Sequence, residues 1–272
     1  MTRTKHVRHD STNRLPTNPF AEVGASIAPP GNRHSSQFAM QQLVRTEDLS
    51  VVFQPIVTLA TMKIFAYEAL ARCAVPAFSN PMVLFERAVR DRCCGRLGRA
   101  IREAAIPLCE GVPVFVNVHP HELEERWLVQ PDDPLYFHDR VVYLEITEAV
   151  PLSHFDLCRS VLKDVRRRAD VRLVVDDLGA GYSNLKHIAD LEPAIVKLDR
   201  NLIIDLDRSK RHQTLVAGIV RLCADLGAEV VAEGIETIEE LKAIRDTGVH
   251  YVQGFLLARP GFPLPELNRV SL

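Results

Sequence analysis

From Gln37 onward, short apolar runs alternate with longer segments of helical periodicity. The runs have the length and the β-branched composition of strands buried on both faces, as in a parallel sheet. They comprise residues 51–57, 64–72, 114–118, 141–147, 172–177, 194–199, 229–235 and 251–255. Gly227 and Gly248 fall where the intervening helices are expected to end. This alternation predicts a parallel sheet with right-handed crossovers.

The number and spacing of the runs favour a closed barrel over an open sheet, since a barrel commonly occupies about 250 residues. The first two runs are separated only by "TLATMK", which is too short for a crossover helix and predicts an antiparallel hairpin. We therefore predict an α/β fold, an irregular TIM-like (β/α)8 barrel with one antiparallel strand near its start. The barrel domain would span residues 37–272, and residues 1–36, rich in polar and basic residues, would form a flexible N-terminal tail.

Charge and cysteine usage narrow the possible partners and compartments. The chain of 272 residues has 33 Lys plus Arg and 35 Asp plus Glu, a net charge of -2, so we expect no nucleic-acid polymer as partner. Its six cysteines form no C-x-x-C pair, which argues against a zinc site or a disulfide framework. We find no signal peptide and no apolar run long enough to span a membrane, and we expect a cytoplasmic protein.

Most of the apolar runs carry a polar or charged residue at or near their carboxyl ends. These residues are Glu68, Asn117, Glu145, Asp176 with Asp177, Lys197, Glu233 and Gln253. A carboxylate within a buried run is unfavourable unless it is paired or bound to a metal ion. The carboxyl ends of barrel strands converge on one mouth, where such enzymes have their active sites. The pattern therefore predicts a single site at that mouth.

The predicted site contains five carboxylates and one amide carbonyl, without thiolates or clustered imidazoles. These hard oxygen ligands suit Mg²⁺ or Mn²⁺, and Ca²⁺ could occupy the same oxygens. Five carboxylates favour two ions, and two-metal sites support in-line attack of water on phosphate. Lys197 would place a point charge near the water or a phosphoryl oxygen, and Arg72 could contact phosphate in a fork geometry.

The segment "YEALAR" (67–72) resembles the signature of the EAL-domain phosphodiesterases, which hydrolyse the bacterial second messenger cyclic di-GMP. The resemblance extends from about Gln37 to Pro260. It rests on motifs that occur in the family's order: "FQPIV", "EALAR", "VNVHP", "LEITEA", "DDLGAGYSNL", "IVKLD", "AEGIET" and "QGFLLARP". The resemblance also implies an irregular eight-stranded barrel with one reversed strand.

The resemblance implies a role for each site residue. One metal ion would be ligated by Glu68, Asn117, Glu145 and Asp176. The second would be held by Asp177 and Glu233, with Asp176 bridging the two. The catalytic set would comprise Lys197, which assists the nucleophilic water, Gln253 near it, Glu68 and Glu233. The substrate groove would be lined by Gln54, Leu70 and Arg72, and Glu148 would stabilise the loop after Asp177.

The activity implied by the resemblance is metal-dependent hydrolysis of cyclic di-GMP to linear pGpG. Two Mg²⁺ or Mn²⁺ ions would serve as cofactors, and Ca²⁺ would bind the same ligands without supporting turnover. A homodimer is expected, with regulation through the tail, dimerisation or a protein partner. The alternatives are a non-catalytic cyclic di-GMP sensor of the same fold and a protein-binding scaffold. The presence of every implied ligand and of Lys197 favours the enzyme over the sensor. The complete acidic set argues against the scaffold, because buried acids without a function would destabilise the fold.

Overall fold

The computed structural model describes residue 40 and residues 43–125, 127–147, 155–180 and 189–270. The predicted N-terminal tail lies outside the described residues, as does the predicted loop-stabilising residue Glu148. None of the helices in the described part of the chain combines the length and apolarity needed to cross a bilayer.

Eight strands close into a barrel in chain order. They are β1 (Leu49–Thr58), β2 (Lys63–Cys73), β3 (Val114–Asn117), β4 (Val142–Thr147), β5 (Val171–Leu178), β6 (Ile195–Leu198), β7 (Glu229–Ala232) and β8 (Tyr251–Val252). Strand β1 runs antiparallel to both of its neighbours, β2 and β8, whereas the other neighbouring pairs are parallel. The predicted barrel and its reversed strand are therefore confirmed.

Helices cover the outside of the barrel. Those of the described residues are α1 (Pro81–Arg90), α2 (Cys94–Ala105), α3 (Pro120–Glu125), α4 (Phe155–Arg166), α5 (Lys210–Asp225) and α6 (Ile238–Arg245). Helix α2 shows how the sequence pattern positions them, because Leu97, Ile101 and Ala105 recur every four residues and are all buried. The main apolar core lies between these helix faces and the outer face of the sheet.

A second apolar cluster fills the inside of the barrel. It takes one residue from each strand: Ile56, Ala66, Phe115, Tyr143, Val174, Ile195, Val231 and Tyr251. A register shift between Ile56 and Val57 leaves Phe65 as an extra residue in β2, and its ring stacks on Tyr251 at 4.1 Å between ring centroids. This layer closes the barrel beneath the predicted site, so the site can open only toward the carboxyl ends of the strands.

The amino end of α2 is capped by a residue from another helix. Cys93 occupies the N-cap position but makes no side-chain cap. The Glu125 carboxylate of α3 instead accepts hydrogen bonds from the backbone of Gly95 and Cys94 and from the side chain of Trp127. Burial raises the pKa of the Glu125 carboxyl to about 7, above about 4.3 for an unfolded glutamate.

Glu125→Gln is expected to change the pH dependence of stability. Between about pH 4.3 and 7 the folded protein holds a proton on Glu125 that the unfolded chain releases, so stability falls as pH rises through this window. Glutamine remains a hydrogen-bond acceptor but does not titrate. The free energy of unfolding of the variant should therefore increase relative to that of the wild type as the pH rises toward 8. Urea unfolding at several pH values measures this difference. The exposed residue Glu110 provides a control as Glu110→Gln, and parallel curves for Glu125→Gln would contradict the prediction.

Candidate active site

A polar layer lies directly above the apolar layer inside the barrel. Side chains two positions apart on a strand share a face, so each strand presents a second inward residue after its apolar one. In β1 the direction is reversed, and Gln54 precedes Ile56. The eight residues of this polar layer are Gln54, Glu68, Asn117, Glu145, Asp176, Lys197, Glu233 and Gln253. Seven of the eight are the strand-end residues that the sequence pattern singled out.

The polar layer forms part of the wall of an open cavity of about 310 Å³. The lining comprises Gln54, Glu68, Asp176, Asp177, Lys197, Arg200, Glu233, Gly234, Glu236, Gln253, Gly254 and Phe255. Five of these residues are acidic and two are basic. The wall therefore has an excess of negative charge if all of its acids ionise.

Lys197 lies at the centre of the polar layer, with a side chain only 1% exposed. Its Nζ lies 2.5 Å from Glu233 Oε1, 2.7 Å from Glu145 Oε1, 3.1 Å from Asp176 Oδ1 and 3.5 Å from Glu68 Oε2. Burial alone would lower the pKa of Lys197, but the surrounding carboxylates, Asp176 foremost, raise it well above its usual value. Lys197 is therefore an ammonium group at neutral pH, in contact with four acids.

One ammonium group does not balance four carboxylates. Burial raises the pKa of Glu145 and of Glu233 well above the usual value, and neighbouring negative charges add to the effect. Glu145 Oε1 and Asp176 Oδ1 lie close to Nζ of Lys197, yet both are buried and accept no hydrogen bond of suitable geometry. The site therefore has buried carboxyl oxygen atoms with which a further cation could interact.

Amide side chains connect the acids to one another. Asn117 Nδ2 donates to Glu68 Oε1 at 3.3 Å and to Glu145 Oε2 at 3.1 Å. Gln253 Nε2 donates to Glu68 Oε2 at 2.7 Å and to Gln54 Oε1 at 3.2 Å. Glu68 is therefore held between two amides as well as near Lys197.

The adjacent acids Asp176 and Asp177 reach the same side of the sheet through a bulge in β5. Val175 pairs with Val196, and Leu178 pairs with Leu198, so β5 contains one residue more than β6 over this interval. Asp177 adopts φ = 60°, in the left-handed region, which aspartate tolerates better than most residues. Carboxylate oxygens of Asp176, Asp177 and Glu233 consequently lie within 4.8 Å of one another. Regular alternation would have directed Asp177 away from the cavity.

The predicted substrate residues divide into two groups. Gln54 lies in the cavity wall, opposite Glu68 in the register of β1 and β2. Leu70 and Arg72 follow Glu68 at two-residue intervals on the same face of β2, and both are half-buried. They lie farther toward the carboxyl end of the strand and are not part of the described cavity lining. Arg72 Nη1 donates to the carbonyl oxygen of Ala71 at 2.8 Å.

Arg200 is a cavity residue that the sequence analysis missed. Its Nη2 lies 3.0 Å from Glu236 Oε2, and its Nη1 donates to the carbonyl oxygen of Gly234. Gly234 has φ = 68°, and a Cβ there would lie 2.8 Å from the Arg200 side chain. Arg200 thus holds the loop that follows β7. In the sequence it resembles any arginine in a solvated turn, and only its position after "IVKLD" could have drawn attention to it.

A sequence model described as EAL domain matches residues 38–260 of the chain. The chain belongs to the EAL domain family. That match covers the whole barrel from β1 to the segment after β8, and it includes every residue of the polar layer.

Two proteins illustrate the similarity of this EAL domain to characterised relatives. It is 30% identical over 252 residues to the protein named cyclic di-GMP phosphodiesterase NbdA of Pseudomonas aeruginosa, covering 84% of this chain and 31% of NbdA. It superposes on Klebsiella pneumoniae BlrP1 in a complex with calcium and cyclic di-GMP, with a TM-score of 0.70 and 31% identity, covering 81% of this chain and 58% of BlrP1.

A second BlrP1 structure, a complex with manganese and cyclic di-GMP, gives a TM-score of 0.68 and 33% identity, with 79% of this chain and 56% of BlrP1 covered. The chain therefore spans about a third of the length of NbdA and somewhat more than half of BlrP1. The similarity concerns the EAL domain and not the remainder of those proteins.

Proposed function

We propose that this EAL domain hydrolyses cyclic di-GMP to linear pGpG, with two divalent cations as cofactors. The observation that carries the proposal is the polar layer itself, in which four carboxylates surround one lysine at the base of an open cavity. The BlrP1 complexes with cyclic di-GMP and either manganese or calcium support the choice of substrate and of cation class.

The donor set fits divalent cations of the Mg²⁺ or Mn²⁺ type. The buried oxygens of Glu145 and Asp176 accept no hydrogen bond, and every candidate ligand offers oxygen. One ion would be held by Glu68, Asn117, Glu145 and Asp176. The other would be held by Asp177 and Glu233, with Asp176 between the two ions. When bound, the ions would activate water and neutralise charge on the phosphate.

Asn117 would have to change its amide orientation to serve as an oxygen ligand. In the structure its Nδ2 faces the carboxylates of Glu68 and Glu145. An amide nitrogen donates and does not bind cations, so the side chain would turn to present Oδ1 instead. The Asn117 amide would therefore have a role with and without a cation. Without one it links Glu68 and Glu145 by hydrogen bonds, and with one it would supply a ligand oxygen.

Lys197 and Gln253 would act on the reacting groups. Lys197 Nζ would donate a hydrogen bond to the attacking water or to a phosphoryl oxygen. Gln253 would form a hydrogen bond nearby, and Glu68 and Glu233 complete the proposed catalytic set. Attack of water on phosphorus breaks one phosphodiester bond and opens the ring, which gives the linear product.

The proposed substrate groove extends from the cavity along the face of β2. Gln54, Leu70 and Arg72 would line it, with the Arg72 guanidinium contacting a phosphate of the dianionic substrate. Glu148 would stabilise the loop that follows Asp177, a role that concerns residues outside the described part of the chain.

The test is an assay of the purified chain with cyclic di-GMP and Mg²⁺, Mn²⁺ or Ca²⁺, in which the products are separated by chromatography. We expect pGpG with Mg²⁺ or Mn²⁺ and none with Ca²⁺. Glu68→Ala, which removes a carboxylate from the polar layer, should give no product and so controls for contaminating phosphodiesterases. Saturable nucleotide binding without product under any condition would favour the non-catalytic sensor. Absence of both binding and product would favour the scaffold.

Asp177→Asn is expected to weaken the stabilisation of the protein by Mn²⁺. Asparagine tolerates the left-handed backbone at this position, so the bulge is retained while one carboxylate of the cluster is lost. Tenfold weaker binding would reduce the stabilisation at saturating Mn²⁺ by about 1.4 kcal/mol. Thermal unfolding with and without MnCl₂ measures the effect. Asp225→Asn, at the exposed end of α5, is the control, and equal Mn²⁺-induced shifts in Tm for both variants would contradict the assignment.

A further inference from the structure

We propose that Gln54 is a positioning residue that fixes the side-chain amide of Gln253, so that Gln253 Oε1 accepts a hydrogen bond from the attacking water. The inference rests on the proposed function for its catalytic consequence. Its structural part concerns the orientation of two amides and can be tested without substrate.

The orientation of both amides follows from the groups at the two ends of a hydrogen-bonded chain. At one end, Gln54 Nε2 donates to the carbonyl oxygen of Ala258 at 3.0 Å. A carbonyl oxygen can only accept, so the nitrogen of Gln54 must face Ala258 and its oxygen must face the other way. That oxygen accepts from Gln253 Nε2 at 3.2 Å.

The other end of the chain requires the same orientation. Gln253 Nε2 also donates to Glu68 Oε2 at 2.7 Å, a hydrogen bond that the amide oxygen of Gln253 could not donate in its place. The nitrogen of Gln253 is thus held between two acceptors, Gln54 Oε1 and Glu68 Oε2. Turning either amide over would bring oxygen against oxygen at one or more contacts. The Gln54 and Gln253 amides therefore have a single mutually compatible orientation.

This orientation leaves one acceptor of Gln253 without a hydrogen bond. Gln253 is 3% exposed, and its Oε1 is buried without a hydrogen-bond partner among the described residues. Gln253 and Lys197 both line the cavity. An unsatisfied buried acceptor is unfavourable, so a donor that reaches this oxygen would be held there. We infer that this acceptor helps to aim the attacking water, a task for which small displacements have large kinetic effects.

Gln54 lines the proposed substrate groove, and its present contacts favour the positioning role over a hydrogen bond to the substrate. Both polar atoms of its side chain are engaged by Ala258 and Gln253, and the residue is 8% exposed. Gln54 also joins β1 to the segment after β8, which keeps Gln253 beside the reversed strand.

A double-mutant cycle tests the catalytic part with Gln54→Met, Gln253→Met and the variant that carries both changes. Methionine is close in size to glutamine and apolar, so it suits buried positions. We expect Gln54→Met to lower kcat about 10- to 100-fold while KM changes less than about twofold. If Gln54 acts through Gln253, the double variant should be no slower than Gln253→Met. Multiplicative losses, or a raised KM with unchanged kcat, would overturn the proposal.

Gln213 offers a matched control outside the cavity. Its Nε2 donates to the carbonyl oxygen of Leu206 at 2.8 Å, and its Oε1 accepts from Lys210 at 2.9 Å, so the pattern of contacts resembles that of Gln54. Gln213→Met should leave both kinetic constants unchanged.

An NMR measurement on the metal-free protein tests the structural part independently of activity. The side-chain amide signals of Gln253 are identified by their loss in Gln253→Met. We expect these signals to shift in Gln54→Met and to stay in place in Gln213→Met. Unshifted signals in folded Gln54→Met would overturn the proposal even if the enzyme is active. Shifted signals together with no turnover by the wild type would refute the proposed function and support the amide chain.

Discussion

Replacing Lys197 with methionine is expected to destabilise the metal-free protein by about 3–5 kcal/mol, because it leaves buried carboxylates without their counter-charge. Four acids lie within 3.5 Å of the lysine nitrogen, and the variant would remove the ammonium group from all of them at once. The pKa values of Glu145 and Glu233, which burial already raises, would rise further in the variant. The folded protein would then retain protons that the unfolded chain releases, so the loss of stability should grow as pH increases.

Divalent cations should recover part of this stability. If Mg²⁺ or Mn²⁺ binds the same carboxylates, its charge substitutes for the missing ammonium group, and Lys197→Met should gain more stability from MnCl₂ than the wild type gains. Hydrolysis should remain severely impaired, since Nζ would no longer donate to water or phosphate. Urea unfolding in EDTA and in MnCl₂, together with the hydrolysis assay, measures both effects.

Lys163→Met is a suitable control, because this lysine is exposed on α4. Its unfolding free energy should stay within about 0.5 kcal/mol of the wild type. If Lys197→Met were as stable in EDTA as Lys163→Met, the account of Lys197 as the principal counter-charge of the metal-free site would be wrong.

The barrel was predictable because hydrophobic periodicity reports burial directly. Runs of apolar residues marked all eight strands to within a few residues, and the short connection after Thr58 revealed the reversed strand. The polar residues at the ends of those runs were informative for the same reason, since a charge within a buried run requires a partner. Their roles as ligands and catalysts, the homodimer and the flexible tail remain predictions.

The bulge at Asp177 was not predictable from the same pattern. Strand periodicity places neighbouring side chains on opposite faces, whereas the extra residue in β5 brings both aspartates to one side. The pairing register decides which side of the sheet Asp177 faces, and that register depends on the neighbouring strand β6. Gln54 illustrates the same limit, because "FQPIV" does not reveal that its amide is engaged by Ala258, 204 residues away in the chain.

The buried charges outside the barrel were missed altogether. Arg102, on α2, donates from Nε and Nη2 to the carboxylate of Asp133 and from Nη1 to Glu122 Oε2 on α3 at 2.8 Å. All three side chains are at most 1% exposed. Charged residues on helices are normally solvated, so sequence periodicity offers no sign that these three residues meet in the interior.

This network connects to the candidate site through the loop after β3. Glu122 Oε1 accepts from the backbone nitrogen of His119 at 3.1 Å, two residues beyond Asn117. Gly98 leaves room for the arrangement, since a Cβ at that position would lie 2.1 Å from the Glu122 carboxylate. The position of the loop that begins at Asn117 thus depends on a buried ion pair behind the barrel.

Arg102→Met is accordingly expected to lower the free energy of unfolding by about 3–5 kcal/mol, because Glu122 and Asp133 would remain buried without a counter-charge. Arg99→Met, one helical turn earlier, is a matched control. Arg99 pairs with the largely exposed residues Asp132 and Glu103, and such a pair contributes about 1 kcal/mol or less. Urea unfolding of the two variants gives the comparison.

Neutralising the acids as well should separate lost charge balance from lost packing. The triple variant Arg102→Met, Glu122→Gln, Asp133→Asn contains no buried charge at this position, so it should be more stable than Arg102→Met alone. If the single variant were no less stable than Arg99→Met, the ion pairs would not be needed to hold α2 and α3 together. If the triple variant recovered stability but bound Mn²⁺ more weakly than the wild type, the charged form of Glu122 would be required to place the Asn117 loop.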